Sequence, residues 1–495
     1  MNFLTSKFLK TRKGKVWLVV NLLLVWLLWG LVVNFSSVMP EQIPFFYSQP
    51  WGSSQLVSVS LLYLFPIIAT SVLLLNLVFI NVLWNNRELD LVLAVVLLAT
   101  ATQVAFLVSL ARIVVNVASS YQITVGGRLF LAGSASFAVS YLLTPAVKIF
   151  ANTLGAVDDP TQHRHPAILH KRSLPRAGSL AFLLAFIAIS FLVVPVDTKL
   201  LGIWLGAILM AVIGVIDDRG ASGKFREINP YVRLLSEILA ALVVVSFGVS
   251  VPFFRNPLGG VVRLDALQVT VNFFGQHSIF ILASLVAILW IVWVMNMLSW
   301  SNGVDGQFSG IVFLTCIFLS LISLRVANGD LMQVRTAVLF AVAGGAALGL
   351  LPVSWHPSKI LWGFGATSCG LIIAALSILS TAKVATSVLV LLVPTLDAVV
   401  AIFRRVLKGT SPVWGDSAHF HHHLLKIGLS QKQVALFYWA LTFICGLLAL
   451  HTVQKGRFLT LLMAGGLVAF VLTVVNWGRS GFSKFLFWKD KQDNC

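Results

Sequence analysis

The sequence predicts an all-α polytopic membrane protein of about 14 transmembrane helices, and three observations carry that prediction. Of 495 residues, 58% are hydrophobic and 11% are charged, against about 25% charged in soluble domains. Mean hydropathy is +0.93. Apolar runs of about the 20 residues that cross a bilayer recur along the whole chain. They lie near 17–33, 55–84, 89–116, 129–150, 179–196, 199–216, 231–252, 278–298, 309–326, 334–352, 360–379, 382–403, 434–452 and 457–476.

An even number of spans leaves both termini on one side. The basic start (Lys7, Lys10, Arg12, Lys13 and Lys15) places that side in the cytoplasm. The segments this assigns to the inside hold 25 Lys and Arg, the outer ones nine, and Arg112 falls within a span. The expected location is the plasma (inner) membrane, multi-pass, with both termini and any site on the inner loops cytoplasmic. A formal charge of +18 then reflects inner loops beside anionic headgroups, and no nucleic-acid partner is implied. The run from Trp17 to Val33 is long enough to span, with no small-residue cleavage site after it, so it reads as a retained helix. Of the cysteines Cys316, Cys369, Cys445 and Cys495, three lie in apolar runs and none forms a CxxC. That pattern supports neither a disulfide framework nor a thiolate metal site. The main outer excursion, 253–277, carries alternating residues suited to a short hairpin.

The polar residues gather on the inner segments. Asp217-Asp218 ends the run that begins after Lys199. A charge in hydrocarbon costs about 2.5–3.5 kcal/mol on the most lenient scale, so the pair belongs at the membrane surface. Adjacent carboxylates repel unless a cation or a proton lies between them, which points to divalent-metal or phosphate chemistry, or else to a solvated loop start. His163, Arg164, His165, His170, Lys171, Arg172 and Arg176 form a cationic strip. It suits a lipid phosphate or diphosphate, and equally ordinary inner-loop charge. Asn296, Ser299, Asn302 and Asp305 recur every three residues, which on a helix gives one drifting face, and Gly303 and Gly306 mark its end. Such oxygens suit Mg2+ or a sugar nucleotide, or simply a wet helix terminus. Finally, Asp416 precedes His419, His421, His422 and His423. Without Cys or HExxH a closed zinc site is poorly supported, whereas clustered imidazoles can serve a phosphate as hydrogen-bonding or cationic partners.

Five stretches in this order resemble the polyprenyl-phosphate N-acetylhexosamine-1-phosphate transferases, glycosyltransferase family 4. They are His170–Gly178 (HKRSLPRAG), Gly214–Asp218 (GVIDD), Asn296–Gly306, Leu351–Gly363 (LPVSWHPSKILWG) and Asp416–Leu424 (DSAHFHHHL). Arg404-Arg405 and Gly409-Thr-Ser-Pro fit the lead-in to the last. The resemblance implies eleven spans in a phosphoglycosyltransferase-like domain over 125–476, a three-helix leader over 1–124, and a basic cytoplasmic tail over 477–495. It implies transfer of a UDP-amino-sugar 1-phosphate, GlcNAc-type favoured, to polyprenyl phosphate, with release of UMP in cell-envelope polysaccharide or peptidoglycan precursor synthesis. Asp217, Asp218 and Asp305 would be catalytic and hold Mg2+, with Mn2+ as the alternative. His170, Arg176, Asn296, Asn302, Asp416, His419, His421 and His422 would meet the substrates. A homodimer is a candidate assembly.

The chain departs from the family pattern at two acidic positions. Ser299 and Asn302 stand for the second Asn and first Asp of Asn-x-x-Asn-x-x-Asp-Gly-x-Asp-Gly. Gly363-Phe364-Gly365-Ala366-Thr367 stands for Gly-Asp-x-Gly-Ser, and a phenyl ring cannot ligate Mg2+. These losses predict weak metal binding. They leave an active transferase and a catalytically impaired paralogue that binds the same ligands both open. A transporter or flippase fits less well, because its ionisable residues would sit near mid-membrane.

Overall fold

The computed structural model describes residues 11–36, 39–45, 55–85, 89–121, 124–161, 170, 172–220, 222, 228–255, 260–272, 276–327, 329–380, 383–414, 419–451 and 465–466. Among them the protein is an all-α membrane fold with four two-stranded ribbons and no larger sheet. Eight described helices are long and apolar enough to cross a bilayer, and shorter apolar helices lie between them. The predicted span at 457–476 and the tail at 477–495 lie essentially outside the described residues.

The chain forms two compact units, residues 1–128 with 191–195, and 129–190 with 196–495. In the first, helices α1 (Arg12–Ser36), α2 (Leu64–Asn85) and α3 (Leu89–Tyr121) pack together. The ribbon β1 (Gln42–Pro44) and β2 (Leu56–Ser58) joins them in antiparallel register, Ile43 opposite Val57. The apolar run from 55 is therefore not one helix: its first residues pair as a strand and turn through a 3-10 segment before α2 begins. Asn21 is fully buried. Its amide donates to the Trp17 carbonyl at 2.9 Å and to Thr100 Oγ1 at 3.1 Å, and the Trp17 indole donates to Thr100 at 3.0 Å. Between apolar helices such bonds satisfy groups that lipid cannot.

The second unit runs α4 (Val125–Leu154), the ribbon β3 (Val157–Asp158) with β4 (Leu174–Pro175), α5 (Gly178–Val193), α6 (Thr198–Gly220) and α7 (Pro230–Ser246). Two hairpins follow, β5 (Phe253–Arg255) with β6 (Val261–Arg263) and β7 (Gln268–Asn272) with β8 (Gln276–Phe280), where the sequence suggested one. Then come α8 (Ile281–Trp300), α9 (Gln307–Arg325), α10 (Leu331–Ser354) and α11 (Ala366–Leu379). The chain continues through α12 (Lys383–Val390), α13 (Leu392–Leu407), α14 (Phe420–Lys426) and α15 (Gln431–His451). The run at 382–403 thus divides at Leu391. Pro394, three residues on, has no N–H to carry the preceding helix through. Helix α7 starts where Asn229 accepts from the Tyr231 N–H at 2.9 Å, with Pro230 in the first turn, as the Asn-Pro pair dictates.

Helix α11 is the centre of this unit. It has only 14 residues and is apolar all round, and Ala366 through Ser377 are all buried. It packs against α6 and α8. Helix α10 packs closely on α9, and it also meets α4 through paired glycines: a Cβ on Gly345 would fall 2.0 Å from the Gly133 carbonyl oxygen. Small residues that let backbones touch are how apolar helices associate where lipid removes the hydrophobic drive. Gly345→Ala is expected to destabilise the fold by roughly 1–3 kcal/mol, since backbone must move. Thermal unfolding in detergent checks this, with Gly126→Ala, which meets nothing within 4 Å, as the neutral control.

Candidate active site

The end of α6, the start of α7, the end of α8, the turn before α9, the end of α10 and the start of α11 come together. The contacts below link them, and nearly all the polar chemistry of the chain lies there.

The first group surrounds the aspartate pair. Both side chains are buried, Asp217 at 4% exposure and Asp218 at 1%. Each has its own arginine. Asp217 Oδ1 accepts from Arg233 Nη2 at 2.6 Å and Nε at 2.8 Å, and from the Ile228 N–H at 3.3 Å. Asp218 Oδ1 accepts from Arg176 Nε at 2.9 Å, and the Phe364 N–H is shared by both Asp218 oxygens at 2.9 and 3.1 Å. Arg176 also reaches Asp158 at 3.0 Å, and His170 lies 3.9 Å from the same carboxylate. Burial works against the Arg176 cation, but Asp218 and then Asp158 outweigh it and raise its pKa.

Backbone geometry brings these partners in. Leu361 N donates to the Pro175 carbonyl and Gly178 N to the Leu361 carbonyl, so the strand leading into α5 lies along the segment leading into α11. Gly363 sits at φ +73°, where a Cβ would fall 2.0 Å from an Asp218 oxygen. Only glycine allows the chain to turn over the carboxylate and aim the next N–H at it. The following residue, Phe364, lies with its ring 5.0 Å beneath the Arg233 guanidinium, a cation–π contact.

The second group is Asp305, whose Oδ2 lies 2.8 Å from His356 Nδ1 and accepts from the Ser358 N–H at 3.1 Å. Ser358 accepts in turn from Arg172 at 2.9 Å, which ties this turn to the loop carrying Arg176. Helix α8 ends at Trp300, so Asn302 and Asp305 lie beyond it and the expected single helical face stops at Ser299. Asn296 turns its amide to the buried carboxylate of Glu237 on α7 and to the Val292 carbonyl. Asn302 is half-buried in the turn.

The third group is the histidine cluster. Asp416 lies outside the described residues. His419, His421 and His422 are all buried; the His419 and His421 rings are parallel at 5.7 Å and those of His421 and His422 are 4.2 Å apart. His421 packs onto the backbone of Gly303, where a Cβ would overlap its Nε2, joining the cluster to the Asn302–Asp305 turn. Around His419 stand Asp397, Arg405 and Trp300.

The sequence pattern did not single out Asp158, Arg233, Glu237 or His356. Arg233 and Glu237 did carry a signal, two charges four apart on an apolar helix. Asp158 and His356 lay within motifs whose other members drew attention.

The aspartates expected to hold Mg2+ do not form a site that fits it. Asp217, Asp218 and Asp305 each accept from cations or N–H groups of the protein itself, and the side chain at 364 is a hydrocarbon ring. A divalent ion requires several convergent oxygens with lone pairs to give. Among the described residues no three His, Cys, Asp or Glu side chains converge in that way.

Burial, reinforced by neighbouring imidazoles, lowers His421 to about 3 and His422 to about 4. Unfolded histidine takes up its proton near pH 6.5. Between that pH and about 4 these two histidines bind protons in the unfolded chain that they refuse in the folded one, so this pair by itself contributes less to stability as pH is lowered through the window. Removing one of the pair isolates its share: between about pH 7.5 and 4.5 the unfolding temperature of His421→Gln is expected to rise relative to that of the wild-type protein, which paired thermal unfolding measurements across that range read.

Comparison with known proteins gives the family. The profile of glycosyl transferase family 4 matches residues 200–381. The chain is 28% identical over 372 residues to a probable undecaprenyl-phosphate N-acetylglucosaminyl 1-phosphate transferase of Bacillus subtilis, covering 72% of this chain and 96% of that protein. It is 30% identical over 339 residues to decaprenyl-phosphate N-acetylglucosaminephosphotransferase of Mycobacterium tuberculosis, covering 62% and 78%. A phospho-N-acetylmuramoyl-pentapeptide-transferase of Moorella thermoacetica is 27% identical over 325 residues. Similarity of this extent, running through the same helices whose ends build the polar cluster, makes the chain a member of glycosyl transferase family 4.

Proposed function

We propose that the protein transfers the sugar 1-phosphate of a UDP-amino sugar, of GlcNAc type, to polyprenyl phosphate at the cytoplasmic leaflet of the plasma membrane. The names of the relatives support the chemistry, since those of Bacillus subtilis and Mycobacterium tuberculosis are named for transfer of N-acetylglucosamine phosphate. The observation that carries the reading is the linkage of the Asp217–Asp218, Asp305 and His421 groups at one end of the second unit.

In this reaction a phosphate oxygen of the lipid attacks the sugar-linked phosphorus of the donor. A new P–O–P bond forms, the bond to the uridylyl phosphate breaks, and UMP departs with the electron pair. Arg172, Arg176 and Arg233 supply positive charge for the diphosphate; Arg176 and Arg233 can each exchange a carboxylate for a phosphate oxygen, and Arg172 can exchange the Ser358 carbonyl. Asp217 or Asp218, once its arginine has turned away, accepts the acceptor proton or orients the attacking oxygen. His421 and His422, neutral at physiological pH, are suited to hydrogen bonding with the donor. The flanking apolar helices would accommodate the prenyl chain. Divalent metal has no step here, because the present arrangement of donors does not fit it.

A second reading is favoured by Phe364 and by the saturation of both aspartates: a paralogue that binds nucleotide sugar or polyprenyl phosphate without turnover. Purified protein given polyprenyl phosphate and UDP-GlcNAc, with Mg2+, Mn2+ or EDTA, separates the two by UMP release. The first reading expects release that drops roughly 10²–10⁴-fold in Asp217→Asn or Asp218→Asn, the usual size of a proton-transfer contribution. Protein that binds UDP but releases no UMP would establish the second. Phe364→Asp is expected to introduce Mn2+ binding, detectable by electron paramagnetic resonance, that the wild-type protein lacks.

A further inference from the structure

Asp397 is a buried carboxylate on α13, 5% exposed, that the reaction above does not use. It faces the histidine cluster. One oxygen accepts from the Phe420 N–H at 2.9 Å, at the first residue of α14, and the other lies 3.3 Å from His419 Nδ1. On the far side of the same ring, His419 Nε2 lies 3.4 Å from Arg405 Nη2. Arg405, itself 3% exposed, donates to the Pro412 carbonyl at 2.8 Å and stands 5.1 Å over the Trp300 ring. Trp300 is the last residue of α8, two before Asn302.

The chemistry of these three groups fixes one proton. A carboxylate only accepts, so an Nδ1 at ion-pair distance from it favours carrying the hydrogen; a guanidinium only donates, so an Nε2 within its reach favours being bare. We propose that Asp397 is a positioning residue for the donor site: it holds His419 as the Nδ1–H tautomer, and the bare Nε2 then holds the Arg405 guanidinium against Trp300 beside the Asn302–Asp305 turn. A neutral imidazole thereby connects a buried anion to a buried cation, and neither is left uncompensated. The same carboxylate starts α14, so the aim of Arg405 and the placement of His421 and His422 depend on one side chain. The link from Arg405 to UDP rests on the function proposed above, while the tautomer does not.

Asp397→Asn tests this because it keeps shape and reverses polarity. An amide that donates to Nδ1 drives the proton to Nε2, where it opposes the Arg405 donor. Nitrogen-15 NMR of histidine-labelled full-length protein in detergent, assigned by loss of the signal in His419→Gln, reads the tautomer. UDP titration reads the consequence for the donor site. The expected results are an Nδ1–H signal in wild type, an Nε2–H signal in Asp397→Asn, and UDP binding weakened tenfold or more. Asp397→Glu, which retains the carboxylate, is expected to recover the wild-type tautomer. An Nε2–H signal in wild type overturns the proposal, even if Asp397→Asn fails to fold, as does wild-type UDP affinity in a folded Asp397→Asn. Wild-type protein with the Nδ1–H signal but no UDP binding overturns the donor reading and leaves the tautomer assignment supported.

Discussion

Two adjacent carboxylates, buried at the end of an apolar helix, are the constraint around which the second unit is arranged. The cost of desolvating a charge is several kcal/mol even after relaxation. Asp217 and Asp218 project to different sides of α6, so no single partner can answer both. One arginine arrives from the start of α7 and another from the loop before α5, and a backbone N–H arrives from the turn before α11. Three chain segments separated by up to 188 positions are thereby tied to one helix terminus. The glycine turn at 363 and the strand-like pairing of 175–178 with 361–362 both follow from bringing those donors within reach.

Charge balance by arginine gives this site a different character from one balanced by a metal ion. A bound cation leaves the carboxylates pointing at a shared centre. Here they point apart, each at its own guanidinium, and the ring of Phe364 lies under one of those guanidiniums. The loss of the acid at 364 and the placement of Arg233 are then one physical arrangement: the guanidinium that Asp217 holds also packs over the ring. The histidine cluster repeats the pattern on a smaller scale, with Asp397 and Arg405 balanced through His419.

Much of this was legible in the sequence where a single physical rule sufficed. Hydropathy marked the helices, because a bilayer demands about 20 apolar residues regardless of fold. Asp217-Asp218 and the clustered histidines stood out because charge and imidazole are costly beside apolar runs. What the pattern missed were partners supplied by tertiary contact. Arg233 reads as ordinary inner-loop charge until α7 is folded against α6, and Asp397 reads as an isolated acid until α14 reaches it. The three-residue spacing of Asn296 to Asp305 suggested one helical face, but the helix stops at Trp300, and Asn302 and Asp305 lie in the turn that follows. The overlong run at 55–84 and the run broken at Leu391 show the corresponding limit for helices, since hydropathy gives a length but not the position of a break.

Saturated carboxylates raise the question of how a diphosphate could enter. Removing one partner from a buried ion pair costs about 3–5 kcal/mol if the remaining charge stays dry and alone. A phosphate that takes over a guanidinium returns about 1.5–3 kcal/mol for each charged hydrogen bond, so two such bonds come close to offsetting the exchange. The released aspartate then needs a proton or water. Asp217 has the easier route, since its arginine is more exposed than the partner of Asp218, 27% against 22%, and the neighbouring Ile228 N–H still donates to it. Asp218 keeps the Phe364 N–H on both oxygens and is held more firmly. The asymmetry favours Asp217 as the carboxylate that opens to substrate and Asp218 as the one that preserves the turn around it.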